Sequence, residues 1–196
     1  MDFIDVIKTR RTIRLFKDQP VPAQLLLDLV DCARLAPSAA NRQPLQFVIV
    51  DDPDLCTRLF ENLAWAGFVT PKRNPPAGKR PTAYIVVITN PEISSVTACS
   101  VDAAAAIANI LLAAWSKGVG SCWLGAIKRD EIKTLLAIPD HLNINSVVAL
   151  GYPAESPVSE NAAQDVKYYL DESDNLHVPK RILAQITSRN GFGRGL

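Results

Sequence analysis

Residues 98–117, ACSVDAAAAIANILLAAWSK, constrain the fold more than any other stretch of this chain. They are strong helix formers, apolar on nearly every side, and so predict a helix at the centre of a core rather than on a wetted surface. Gly118 and Gly120 mark its end. Its longest apolar stretch, 101–115, is interrupted by Asp102 and Asn109 and is too short to span a bilayer. Such a helix needs an apolar surface to pack on. Residues 83–89 supply one, because Tyr84-Ile85-Val86-Val87-Ile88 is the unbroken apolar run of a strand buried on both faces.

The other elements follow from periodicity and punctuation. Phe3, Ile4 and Ile7 form a helical stripe over residues 2–9. Leu25, Leu26, Leu29, Val30 and Ala33 mark a second helix between Pro22 and Pro37. Residues 46–50 predict a strand, and a helix beginning at Pro53 is expected to run to about Ala64. Residues 128–137 predict a helix and 145–152 a third long strand, with a short strand near 166–170 and a final segment from Pro179. The 67–82 segment carries Pro71, Pro75, Pro76 and Pro81 and reads as a loop near a binding pocket. No repeat, linker or βαβ alternation divides residues 1–196, so one α+β domain is expected, with helices flanking a sheet.

The net charge of +1 removes any global attraction to nucleic acid or membrane, and no basic stripe with interleaved aromatics is present. The four cysteines and two histidines show no metal-ligand spacing. Metal binding is therefore not expected, and free thiols in a reducing cytoplasm are. The acidic N-terminus lacks the pattern of a signal peptide.

Three motifs could carry chemistry. Arg10, Arg11 and Arg14, with Thr12 between them, suit a phosphate, or else a solvated basic face at a helix C-terminus. Pro37-Ser38-Ala39-Ala40-Asn41-Arg42-Gln43 lies between a helix and a strand, where it is either a polar binding loop or merely a turn. Gly118 to Ala126 (GVGSCWLGA) has Trp123 where a dinucleotide fingerprint needs its third glycine. It reads as a turn with free amides before a helix N-terminus, or as a helix cap and packing point.

Taken together and in this order, these motifs resemble the FMN-dependent nitroreductase family. The opening is similar to that family's R-R-S-x-R-x-F, with Thr12 in place of serine, and the second motif to its P-S-x-x-N-x-Q-P. The resemblance implies a mostly antiparallel sheet flanked by helices, and an intertwined homodimer with FMN at the interface. It implies that Arg10, Arg11 and Thr12 hold the phosphate and ribityl end, and Arg14 the pyrimidine edge. Pro37, Ser38, Ala39, Asn41 and Gln43 would come from the partner subunit. Trp123, Leu124 and Gly125 would line the ring, and Lys180 and Arg181 would return to the phosphate. NAD(P)H would be the transient electron donor and a small molecule such as a nitroaromatic or quinone the acceptor, in ping-pong order. No dedicated acid or base is implied. Trp65, Phe68, Arg73 and Lys79 of the loop region are candidates for shaping the substrate pocket. The alternatives are flavin storage or oxygen chemistry on the same fold, and a flavin-free phosphate-binding module.

Overall fold

A computed structural model describes residues 2–69, 73–162 and 164–195. Four strands form the main sheet in the order β1-β2-β4-β3: β1 is Leu45–Val50, β2 Ala83–Thr89, β3 Gly120–Leu124 and β4 Asn143–Gly151. Every neighbouring pair is antiparallel. All seven residues of β2 are buried, as its unbroken apolar run requires. Alternate residues enter opposite layers. Tyr84, Val86 and Ile88 pack with α3 (Pro53–Phe60), α5 (Arg129–Leu136) and the N-terminal segment, through Leu59, Ile132, Ile13 and Phe16. Ala83, Ile85 and Val87 pack with α2 (Ala23–Arg34) and α4 (Val96–Ser116). The result is an α+β sandwich with helices on both faces of the sheet.

α4 begins where the Ser95 hydroxyl accepts the Ala98 amide. It ends where Gly118, at φ 75°, lets its own amide and that of Val119 close on Trp115 and Ala114. At 21 residues it is longer than its apolar stretch suggested, and long and apolar enough to cross a membrane. Here it packs on α2 and the sheet through Ala103, Ala106, Ile107, Ile110 and Ala114. Only this one face is buried, and Val96 and Val101 are each 65% exposed. Its all-round apolar character is therefore not used up within one chain.

Three expectations need correction. The 120–124 segment is a strand, β3, and not a turn. α3 stops at Phe60, short of Ala64. Residues 158–180 build a second sheet, β5-β7-β6, from Val158–Asn161, Leu176–Lys180 and Tyr169–Leu170, of which the sequence suggested only the last. The helix stripe near the N-terminus is α1, Phe3–Thr9, capped by Asp2. Between α3 and β2, residues 67–69 and 73–82 form neither helix nor strand, and Pro71 lies outside the described residues. A short helix, α6 (Leu183–Ile186), follows β7.

Candidate functional site

Beyond α1 the chain turns extended and runs along β3, where the Ile13 amide donates to the Ser121 carbonyl at 2.9 Å and Thr12 pairs with Ser121. Two glycines permit this approach. A Cβ on Gly120 would lie 2.7 Å from Ile13 Cγ1, and one on Gly151 2.8 Å from Phe16 Cδ1. Gly118 thus serves as a helix end and Gly120 as a packing point, and the segment between Arg11 and Arg14 is held against β3.

Arg11 turns back to the carbonyls of Lys8 and Arg10 at the C-terminal end of α1, where the helix dipole favours a cation. The same guanidinium reaches the Ser159 hydroxyl on β5. Arg10 differs. It is half-buried, and although its amide donates to the Val6 carbonyl, its guanidinium makes no hydrogen bond or ion pair among the described residues. Burial, and then the neighbouring Arg11 charge, push its pKa down. Two guanidinium groups held together in partial burial form a site that an anion would relieve.

Arg14 is held at both its backbone and its side chain. Its amide and that of Leu15 donate to Glu155 Oε1, while Glu155 Oε2 lies 3.0 Å from Arg73 Nε in a pair that is almost fully buried. Arg73 also pairs with Asp174 at 3.1 Å. The Arg14 guanidinium lies 4.8 Å from the Tyr168 ring centroid, and Tyr168 also meets Phe68, with ring centroids 5.1 Å apart. The pocket candidates thus separate. Trp65 is a core residue stacked on Phe60, and Arg73 is a buried tether that holds the loop to the arginine segment. Phe68 and Lys79 are exposed, Phe68 beside Tyr168. Glu155, Ser159 and Tyr168 escaped sequence reasoning because each acts through a partner about a hundred residues or more away in the chain.

On β3, Trp123 is 43% exposed, Leu124 is buried and Gly125 opens to solvent. The Trp123 indole donates to Ser146 at 2.7 Å, and Ser146 donates to the Asn145 side chain at a bulge where β4 slips register against β2. Arg129 staples the following turn through the carbonyls of Gly125, Ile144 and Asn145. Burial pushes the adjacent Cys122 thiol up to about 11, so it is not a thiolate at neutral pH.

The second motif lies elsewhere. Ala39 to Asn41 form one 3-10 turn in which Ala40 and Asn41, and then Gln43, adopt left-handed backbone angles. The turn is anchored where Asp102 Oδ1 accepts the Ala39 amide at 3.0 Å and Ser38 accepts the Gln43 amide at 3.1 Å. Asp102 Oδ2 is buried without a hydrogen-bond partner among the described residues. Asp102, Pro37, Ser38 and Gln43 border a cleft of about 160 Å³. Asn41 is exposed.

Within one chain, the segment carrying Arg10, Arg11, Thr12 and Arg14 therefore meets β3 through Thr12 and Ile13, and through Arg11 and Ser159 it meets the strand that ends in Asn161, which pairs with Lys180. Arg181 is exposed and donates to the Gln185 carbonyl. Pro37 to Gln43 do not join them. They precede β1, at the opposite edge of the sheet from β3, three strand spacings or roughly 14 Å away. α4 keeps the two groups apart in the same way. Asp102 holds the Ala39 turn near one end, and Trp115 donates to Thr9 beside the arginines near the other, roughly 20 Å along the axis.

A two-faced α+β sandwich with this edge-strand site defines the class, and the chain belongs to the Nitroreductase family, whose sequence profile matches residues 7–152. The chain is 32% identical over 185 residues to a protein of Methanothermobacter thermautotrophicus named as an NADH dehydrogenase/NAD(P)H nitroreductase, covering 92% of this chain and 88% of that one. A protein of the same name from Archaeoglobus fulgidus is 35% identical over 158 residues, covering 78% and 86%. A nitroreductase structure from Desulfovibrio desulfuricans, determined in complex with FMN, shares the fold with a TM-score of 0.73 at 24% identity, covering 98% of each chain.

Proposed function

We propose that two copies of this chain form an FMN-dependent oxidoreductase that takes hydride from NAD(P)H and reduces small oxidised acceptors, nitroaromatics or quinones among them, in ping-pong order. The observation that carries this reading is the division of the binding residues between opposite ends of α4. A ligand that needs both the arginines and the Ser38–Gln43 turn can be gripped only by two chains, Arg10 from one and Asn41 from the other. The unburied face of α4 and the exposed Phe3, Ile4 and Ile7 of α1 supply an apolar surface for that contact.

The residues present fit the cofactor. Arg10 and Arg11 suit a phosphate and the Arg14 guanidinium a ring carbonyl edge, with Lys180 and Arg181 at the border. The half-exposed edge at Trp123, Leu124 and Gly125 suits a flat ring. When bound, FMN supplies the redox chemistry; the chain supplies orientation and a positive field. The cysteines are free, which suits the cytoplasm in which we place the enzyme. Titrating the purified protein with FMN and then mixing it with NADH or NADPH in a stopped-flow instrument tests the reading. Saturable binding followed by bleaching of the flavin absorbance is expected. A protein that binds no FMN rules out the cofactor, and one that binds FMN but bleaches with neither donor rules out the reductase.

A further inference from the structure

The small sheet of β5, β6 and β7 contains a cluster that the flavin site does not use. On β7, both ring nitrogens of His177 face carboxylates. Nδ1 lies 2.9 Å from Glu160 Oε2 on β5, and Nε2 lies 3.2 Å from Asp171 Oδ2 in the β6–β7 turn. The Tyr169 ring of β6 stacks on the imidazole at 4.9 Å, and its hydroxyl donates to Glu160 Oε1 at 2.8 Å. Asp171 is fixed in turn by the Ser173 and Asn175 amides and the Asn175 side chain.

A neutral imidazole can donate from one nitrogen only and would turn the lone pair of the other toward a carboxylate. The imidazolium alone satisfies both. The charged groups acting on it are Glu160 from β5 and Asp171 from the turn, with Tyr169 of β6 the third titratable neighbour. The hydrogen bonds to Glu160 and then Asp171 raise the His177 pKa. This one side chain thus joins all parts of a sheet whose strands are only four, two and five residues long. The sheet leads back to the arginines. Ser159, beside Glu160, receives Arg11, and the Ala162 amide donates to the Lys180 carbonyl at 2.7 Å.

We propose that the His177 imidazolium is a positioning residue that clasps this sheet, holding Ser159 to Arg11 and the Lys180 strand beside it, so that a phosphate-bearing ligand loses affinity as the pH rises. The identity of that ligand as FMN rests on the function proposed above; the clasp does not. The folded-state pKa is raised, so the clasp is complete below the ordinary histidine value of 6.5 and opens as the pH climbs through the folded-state value.

The test measures FMN affinity of wild type and His177→Gln between pH 6 and 9, together with hydrogen-exchange protection of amides 158–161 and 176–180 in the unliganded proteins. Dividing the two Kd values cancels the ionisation of the phosphate itself. The variant is expected to bind about tenfold more weakly at pH 6, with the ratio approaching one at pH 9. Wild-type protection should fall over the same range. A Kd ratio that stays constant overturns the proposal whatever the strands do. If His177→Gln fails to fold, Asp171→Asn takes its place. It keeps the imidazole and should move the wild-type transition to lower pH; an unmoved transition overturns the proposal. If FMN binds at no pH, the flavin reading falls and the exchange data alone decide the clasp: protection lost on titration supports it, and unchanged protection overturns it.

Discussion

At the scale of single residues, the site is held by backbone geometry as much as by charge. Gly120 is required because Ile13 occupies the space of its Cβ, and Ile13 is fixed by its own bond to Ser121. Gly120→Ala should therefore cost about 1–3 kcal/mol and loosen the arginine segment, seen as a lower Tm and weaker FMN binding together; an unchanged Tm would contradict this packing. Ala137 is the opposite case. It ends α5 in the left-handed region, at φ 51°, where its Cβ is a penalty. Ala137→Gly should stabilise the protein by about 1 kcal/mol without altering flavin affinity, which denaturant unfolding would show. The arginines, Ser38 and Asn41 were legible as residue types at suggestive spacing. Glu155 and Tyr168 were not, because a carboxylate that holds two distant amides, or a ring beneath a distant guanidinium, leaves no local pattern.

At the scale of elements, legibility followed the strength of the periodic signal. β2 was readable to the residue because every side chain is buried, and α2 because its stripe is complete. β3 was hidden by the glycines at its borders and by its position directly after a helix. β5 and β7 are short, polar or proline-containing, and are held by side chains such as His177 rather than by an apolar face. α4 was legible as a helix, but its surroundings were not: an all-round apolar pattern cannot say which face meets its own chain. The exposed face predicts a contact. Val101→Asp should leave the monomer fold intact, since Val101 is 65% exposed, but should convert dimer to monomer in sedimentation measurements and lose FMN binding with it. A monomeric wild type, or a Val101→Asp dimer of unchanged affinity, would contradict the proposed interface.

At the scale of the whole molecule, the separation of the two binding segments matters most. The two segments lie by opposite edges of a packed sheet, three strand spacings or roughly 14 Å across, a separation that rotamer changes do not close. The sequence showed both halves but not their separation, because strand order is a property of tertiary structure. β1 and β3 lie at opposite edges only because β2 and β4 intervene. A site divided between two chains must show complementation. Arg10→Ala and Asn41→Ala should each impair FMN binding in a homodimer, since every site then carries the defect. In a heterodimer of the two variants, one site collects both defects and the other collects none. The direct measurement is to unfold and refold the two variants together in equal amounts and titrate the mixture with FMN. Random pairing should restore wild-type affinity to about a quarter of the sites. A mixture that binds no better than the separate variants would contradict a site shared between two chains.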